Sequence, residues 1–152
     1  MESKFINKEV EEFSSLLEDA PALCLLNIFN KSNPLTHILE NKINKNDGTM
    51  ISKDLSNINC NQFRLKTREF EYAILFDIIK NCTNKEKFIK AVYHSLENSA
   101  FIIIIEPKSN NNISEIIELL DICEFRVANN IDIFEDYNLI MAKKLHMWGN
   151  GL

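Results

Sequence analysis

The sequence predicts a three-layer α/β domain, a mostly parallel sheet with helices on both faces that is finished by an antiparallel hairpin. Three observations carry this expectation. Apolar runs at Ala22–Phe29, Tyr72–Ile79 and Ala100–Ile105 suit strands buried on both faces, the mark of a parallel sheet. Segments with apolar residues at helical spacing lie between them, as βαβ crossovers require. Two strand-like segments, Phe125–Ile133 and Tyr137–Lys143, then close the chain around the turn Glu135-Asp136.

Taken in order, Val10, Phe13, Leu16 and Leu17 recur at helical spacing among acids within Lys8–Leu17, which predicts an amphipathic first helix. Behind Pro21 comes the first strand, Ala22–Phe29. Asn30-Lys31-Ser32-Asn33-Pro34 then supplies a polar turn, a capping residue and a proline at the first helical position, and Leu35, Ile38, Leu39 and Ile43 continue a helix. After Asp47-Gly48, short strands are expected near Thr49–Ser52 and Gln62–Lys66. The gap between them is shorter than the dozen or so residues of a helical crossover, so any helix there has shrunk to a turn. The second half reads as a complete βαβ unit: strand Tyr72–Ile79, helix Asn84–Leu96 with Phe88, Ile89, Val92 and Leu96 on one face, and strand Ala100–Ile105. Pro107 ends that strand, Asn110–Asn112 reads as loose chain, and Ile113–Ile122 has the spacing of a last helix that buries Ile116, Ile117, Leu119 and Leu120.

Length and composition narrow the class. Residues 1–152 make one domain, with a helical segment in 1–20 and a tail at 145–152, and a chain of this size buries about 70% of its unfolded surface. Hydrophobic residues at 45% and charged residues at 26%, with three glycines and three prolines, fit a soluble globular protein without linkers. A net charge of −5 and the lack of a basic stripe interleaved with aromatics exclude nucleic acid as an expected direct ligand. The charged Met1–Glu12 does not read as a signal peptide, and the apolar block Ala100–Ile105 is too short to span a bilayer. A cytoplasmic location, without membrane contact, is the expectation. Cys24, Cys60, Cys82 and Cys123 are scattered, with no C-x-x-C pair and no histidine grouping, so they read as buried or idle thiols and no metal site is expected. The abundance of Asn, Ile and Lys suits an AT-rich bacterial genome.

Several local strings go further. Phe70-Glu71-Tyr72-Ala73-Ile74-Leu75-Phe76-Asp77-Ile78-Ile79 places an aromatic and an acid before an apolar run that ends in Asp and an apolar pair. Leu96-Glu97-Asn98-Ser99 leads into a strand ending in Glu106-Pro107-Lys108, Leu119–Val127 passes from helix to strand, and Ala142-Lys143-Lys144 closes the sheet. In this order, from Phe70 to Lys144, about half the chain resembles the class I S-adenosylmethionine-dependent methyltransferases, a Rossmann-like family whose last strand is reversed. This chain reads as a truncated member. In the family, Ser99 and Ala100 are usually a glycine pair, and Leu25–Asn33 falls where an Asp precedes a Gly-x-Gly-x-Gly cofactor loop; every one of those glycines is replaced here.

The resemblance implies S-adenosylmethionine as the only cofactor to consider. Were it bound, Asn27 would stand for the first-strand acid, Asn30 and Asn33 would line the loop, Asp54 would face the ribose, and Phe76 and Asp77 would end the fourth strand beside it. The third-strand acid corresponds to Lys66 or to nothing. A glycine loop lets a ligand approach the backbone; Phe29 and Lys31 do the opposite, and forcing a bulky residue to positive φ costs roughly 1–2 kcal/mol. The altered loop therefore implies a degenerate, non-catalytic domain acting through a protein partner or a second copy of itself. The alternative is an active small-molecule methyltransferase with a divergent loop.

Other chemistry has less support. Asp77 reads either as a base at a strand's carboxyl end or as a helix cap. His37 and His94 read as solvated or packed, and no Ser/His/Asp or Cys/His set falls on adjacent strand ends. The tail His146–Leu152 holds the only tryptophan and either folds back on the domain or recognises a partner.

Overall fold

In the computed structural model, residues 5–17, 20–30, 33–55, 65 and 67–145 are described. Four helices and six strands are found among them: α1 (Asn7–Ser15), β1 (Cys24–Phe29), α2 (Pro34–Lys45), β2 (Thr49–Asp54), β3 (Phe70–Phe76), α3 (Lys85–Ser95), β4 (Leu96–Pro107), α4 (Ile113–Ile122), β5 (Arg126–Ile131) and β6 (Tyr137–Lys143). The strands form one sheet in the order β2-β1-β3-β4-β6-β5. β2, β1, β3 and β4 run parallel, and β6 runs antiparallel to both β4 and β5. This is the expected mostly parallel sheet with its reversed hairpin.

Strand alternation decides the two faces. On one face Leu25, Tyr72, Ile74, Ile103 and Leu139 pack against Phe13 of α1 and Leu35, Leu39 and Ile43 of α2. On the other, Leu26, Ile28, Leu75, Ile102 and Ile104 pack against Phe88 and Ile89 of α3 and Ile116 and Leu120 of α4. Because both faces are covered, the central strands carry apolar residues at successive positions, which is why they stood out as continuous runs. No helix among the described residues is long and apolar enough to cross a membrane.

The helix ends follow their caps. Asn33 caps α2 ahead of Pro34, and Asn84 caps α3 by accepting from Lys87 N at 3.1 Å. Lys144, 6% exposed, donates to the carbonyls of Tyr93 (2.8 Å) and Leu96 (2.7 Å) at the C-terminus of α3, where the helix dipole favours a cation. Gly48 ends α2 by donating to Ile43 O at 2.9 Å, and a Cβ at this position would lie 2.5 Å from Leu23 O and 2.8 Å from Ile43 Cγ2. Gly48→Ala is therefore expected to destabilise the domain by roughly 1–3 kcal/mol in urea unfolding, since backbone must shift to admit one methyl group.

Two expectations are corrected. Asn110–Asn112 is not loose: Lys108–Asn110 forms a 3-10 turn, Asn111 is left-handed (φ 48°), and Asn112 is 8% exposed. β4 begins at the buried Leu96, not Ala100, and its exposed residues Glu97, Asn98 and Ser99 fall in a register shift against β3 between Phe70 and Tyr72. Ser99, which stands for a family glycine, has φ 69°, so the chain keeps a glycine's backbone angle without the glycine. The strand expected over Gln62–Lys66 lies outside the described residues, apart from Leu65, which is in no strand. So does the tail from His146 onward.

Candidate functional site

The four parallel strands end in a row. Asp54 of β2 pairs with Phe29 of β1, Phe29 with Phe76 of β3, and Phe76 with Ile105 of β4. From β1 the chain passes to β2 on one side and later to β3 on the other, so the strand order reverses between β1 and β3. Open α/β sheets take ligands at such a reversal, outside the carboxyl ends.

The sequence-predicted residues converge on this end with different occupations. Asn27, 2% exposed, faces α2 because it shares strand parity with Leu25, and its Nδ2 donates to Thr36 Oγ1 at 3.1 Å. Asn33 Oδ1 accepts from Thr36 N at 3.3 Å as the cap of α2. Two of the three asparagines thus meet at one threonine in the first turn of α2. Asn33→Ala is expected to lower stability by about 1 kcal/mol, and Asn33→Asp to restore it, which a melting curve checks. Asn30 is half-buried in the bend after β1, and Asp54 is exposed at the end of β2. Leu55 N donates to Phe29 O at 2.8 Å and holds the two strand ends together.

Phe76 is 5% exposed, and Asp77 follows it with φ 54°, its N–H donating to Ile105 O at 2.8 Å. Two expectations change here. Asp77 is not the cap of α3, which is Asn84. Of the described loop residues, Phe29, Asn30 and Asn33 all avoid positive φ, β1 staying extended through Phe29, whereas Asp77 at the end of β3 adopts it. His37 and His94 are both exposed, in keeping with the solvated reading.

Two groupings at this end were not foreseen. The first is aromatic. Phe5 packs edge-on to Phe134 (4.9 Å between centroids) and Phe76 (6.4 Å) and tilts against Tyr137 (5.5 Å), while Phe76 lies 5.2 Å from Tyr137. Glu9 of α1 pins this cover in place: its carboxylate accepts from Ile6 N at 3.0 Å and from Glu135 N at 2.7 Å. The only sequence signal was the pair of aromatics, Phe134 and Tyr137, flanking the Glu135-Asp136 turn.

The second grouping is polar. Glu106, 1% exposed at the end of β4, accepts from Asn110 Nδ2 and Asn112 Nδ2 (3.2 Å each) and from Ile79 N (3.3 Å). Burial pushes its carboxyl above the ordinary 4.5, Asp77 adds to that, and the three donors oppose it. Asn112 Oδ1 is buried with no partner among the described residues.

The cysteines divide. Cys24 and Cys123 are free, and burial raises both thiols, Cys123 to about 11, so neither is a ready nucleophile. Cys82 is disulfide-bonded, which corrects its reading as an idle thiol. Pairing depends on which residues the fold brings together, and wide spacing along the chain does not reveal it. Cys60 lies outside the described residues.

Neither a protein-family model nor a curated protein matches this sequence. Solved structures do match. A SAM dependent methyltransferase from Aquifex aeolicus superposes with a TM-score of 0.71 at 10% identity, over 90% of this chain and 89% of that one. The fold is that of the class I methyltransferases. A second such enzyme, from Mesorhizobium loti, gives a TM-score of 0.61 at 6% identity over 88% of this chain and 96% of that one. The [4+2]-cyclase SpnF gives 0.68 at 7% identity over 91% and 80%. The methyltransferase fold is therefore shared with a protein named for another reaction, and activity has to be argued from the residues at the site.

Proposed function

We propose that this chain is a methyltransferase-like domain that does not transfer methyl groups and acts through protein contact. The observation that supports this reading is the aromatic cover. Phe5, Phe76, Phe134 and Tyr137 pack on one another over the carboxyl ends of β3 and β4, beside the reversal point where a ligand of this fold is expected. Phe29 stands where a glycine would admit the ligand to the backbone, and Asn27 and Asn33 commit their amides to Thr36. In this reading the residues do not fit S-adenosylmethionine.

Asp54 favours a second reading. An exposed acid at the end of β2, held against β1, has the position and chemistry to accept from two ribose hydroxyls. On that reading the chain binds S-adenosylmethionine and methylates a small molecule. Melting curves separate the two. With a Kd of about 10 µM, 1 mM S-adenosylmethionine or S-adenosylhomocysteine would stabilise the domain by about 2.7 kcal/mol, a rise of roughly 5 to 10 °C. The first reading expects no rise; a rise that Asp54→Ala removes would contradict it and support the cofactor binding that the second requires.

A further inference from the structure

At the outer edge of the sheet, α4 and β5 enclose an open groove of about 480 Å³. Ile117, Phe125, Val127 and Ala128 give it an apolar lining, and Glu118 and Asp121 stand among the residues that border it. Two features set this groove apart from an ordinary surface dip. Val127 is 68% exposed at φ 56°, a left-handed angle that a β-branched residue rarely adopts, so backbone strain holds an apolar side chain in solvent. The strain coincides with a register shift between Arg126 and Asn129, which lifts this part of β5 out of its ladder with β6. Outside the lining itself, Ile122 at the end of α4 is a second exposed apolar side chain, 49% exposed.

Charge chooses the occupant. α4 carries Glu115, Glu118 and Asp121 and no basic residue. Among the described residues Glu115 pairs with Lys85, whereas Glu118 and Asp121 are in no ion pair. Arg126, the one cation of the lining, donates to Phe125 O at 3.0 Å. A second copy would set two linings of the same net negative sign, two acids against one arginine each, against one another, and net like charges so placed repel. A segment with apolar side chains flanked by lysine or arginine meets both halves of the groove, and the chain's net charge of −5 favours its approach.

We propose that the α4–β5 groove docks a cationic amphipathic segment of a partner protein, its apolar side chains on Val127, Ile117 and Ala128 and its cations on Glu118 and Asp121. This inference rests on the reading of the chain as a protein-binding domain and gives that reading a surface. A groove of this size supports a weak contact, with a Kd of roughly 10–100 µM.

The test uses the full chain and two fluorescein-labelled amphipathic helices of fifteen or so residues, one of leucine and lysine and one of leucine and glutamate, read by anisotropy. The leucine-lysine peptide is expected to bind and the leucine-glutamate peptide not to. Val127→Ser, which alters an exposed side chain, and the double variant Glu118→Lys, Asp121→Lys should each weaken binding about tenfold or more. Glu40→Lys, an exposed acid on α2, should leave it within about twofold, since a remote charge is largely screened. Equal loss in Glu40→Lys, no loss in Val127→Ser, no binding of the lysine peptide, or a dimer that Val127→Ser dissolves would each overturn the docking site. Peptide binding by a chain that also binds S-adenosylmethionine would sink the non-catalytic reading and leave the groove standing.

Discussion

Glu106→Ala is expected to destabilise the domain by about 2–4 kcal/mol, and Glu106→Gln to cost far less or to stabilise it at neutral pH. The alanine strands two buried donors, the amide of Asn112 and the N–H of Ile79, and the partly buried amide of Asn110. Each unsatisfied donor costs about 1–3 kcal/mol, partly offset by removing a buried charge. Glutamine keeps one acceptor oxygen for the two asparagine amides and removes the charge, while its NH2 loses only the long bond from Ile79 N at 3.3 Å. The pH dependence has a definite sign. Because the folded carboxyl titrates above its ordinary 4.5, the native state holds a proton that the unfolded chain has released. The stability from that proton is complete below 4.5 and is lost as pH rises through the raised folded value. Urea unfolding of wild type and Glu106→Gln across this window should show the wild type losing ground as pH rises. A constant difference between the two would contradict the assignment.

Phe134→Ala should cost about 3–5 kcal/mol, the range for deleting a buried aromatic side chain, and Phe134→Leu much less. Phe134 is 1% exposed and touches Phe5 (4.9 Å), Phe13 (5.9 Å) and Tyr137 (6.4 Å), so one ring joins the N-terminal segment, α1 and the β5–β6 turn. Its loss should loosen α1 before the sheet unfolds. Limited proteolysis is expected to cut near α1 in Phe134→Ala and not in wild type; equal resistance would mean that the aromatic cover is held by other contacts.

How far the sequence led depends on where each signal lies. β1, β3 and the core of β4 were legible because parallel strands covered on both faces need apolar residues at successive positions. The start of β4 was not: Glu97, Asn98 and Ser99 are exposed and fall in the register shift between Leu96 and Phe101, and Ser99 N bonds to Lys144 O. Helix boundaries were readable from Asn33-Pro34 and Asn84 because capping is local chemistry. At the candidate site, the order of elements correctly brought Phe29, Asp54 and Phe76 to one end of the sheet. Strand parity could have shown that Asn27 faces α2 rather than the crevice. Nothing local could show that Phe5 reaches Tyr137, or that an asparagine run closes around Glu106, because these contacts join residues that only the tertiary fold brings together.

On the proposed reading, aromatic side chains and a glycine-free loop close the ligand crevice of a methyltransferase fold. Isothermal titration of S-adenosylmethionine into the full chain tests it most directly: no saturable heat is expected at millimolar ligand. A single site of micromolar affinity, weakened by Asp54→Ala, would contradict it.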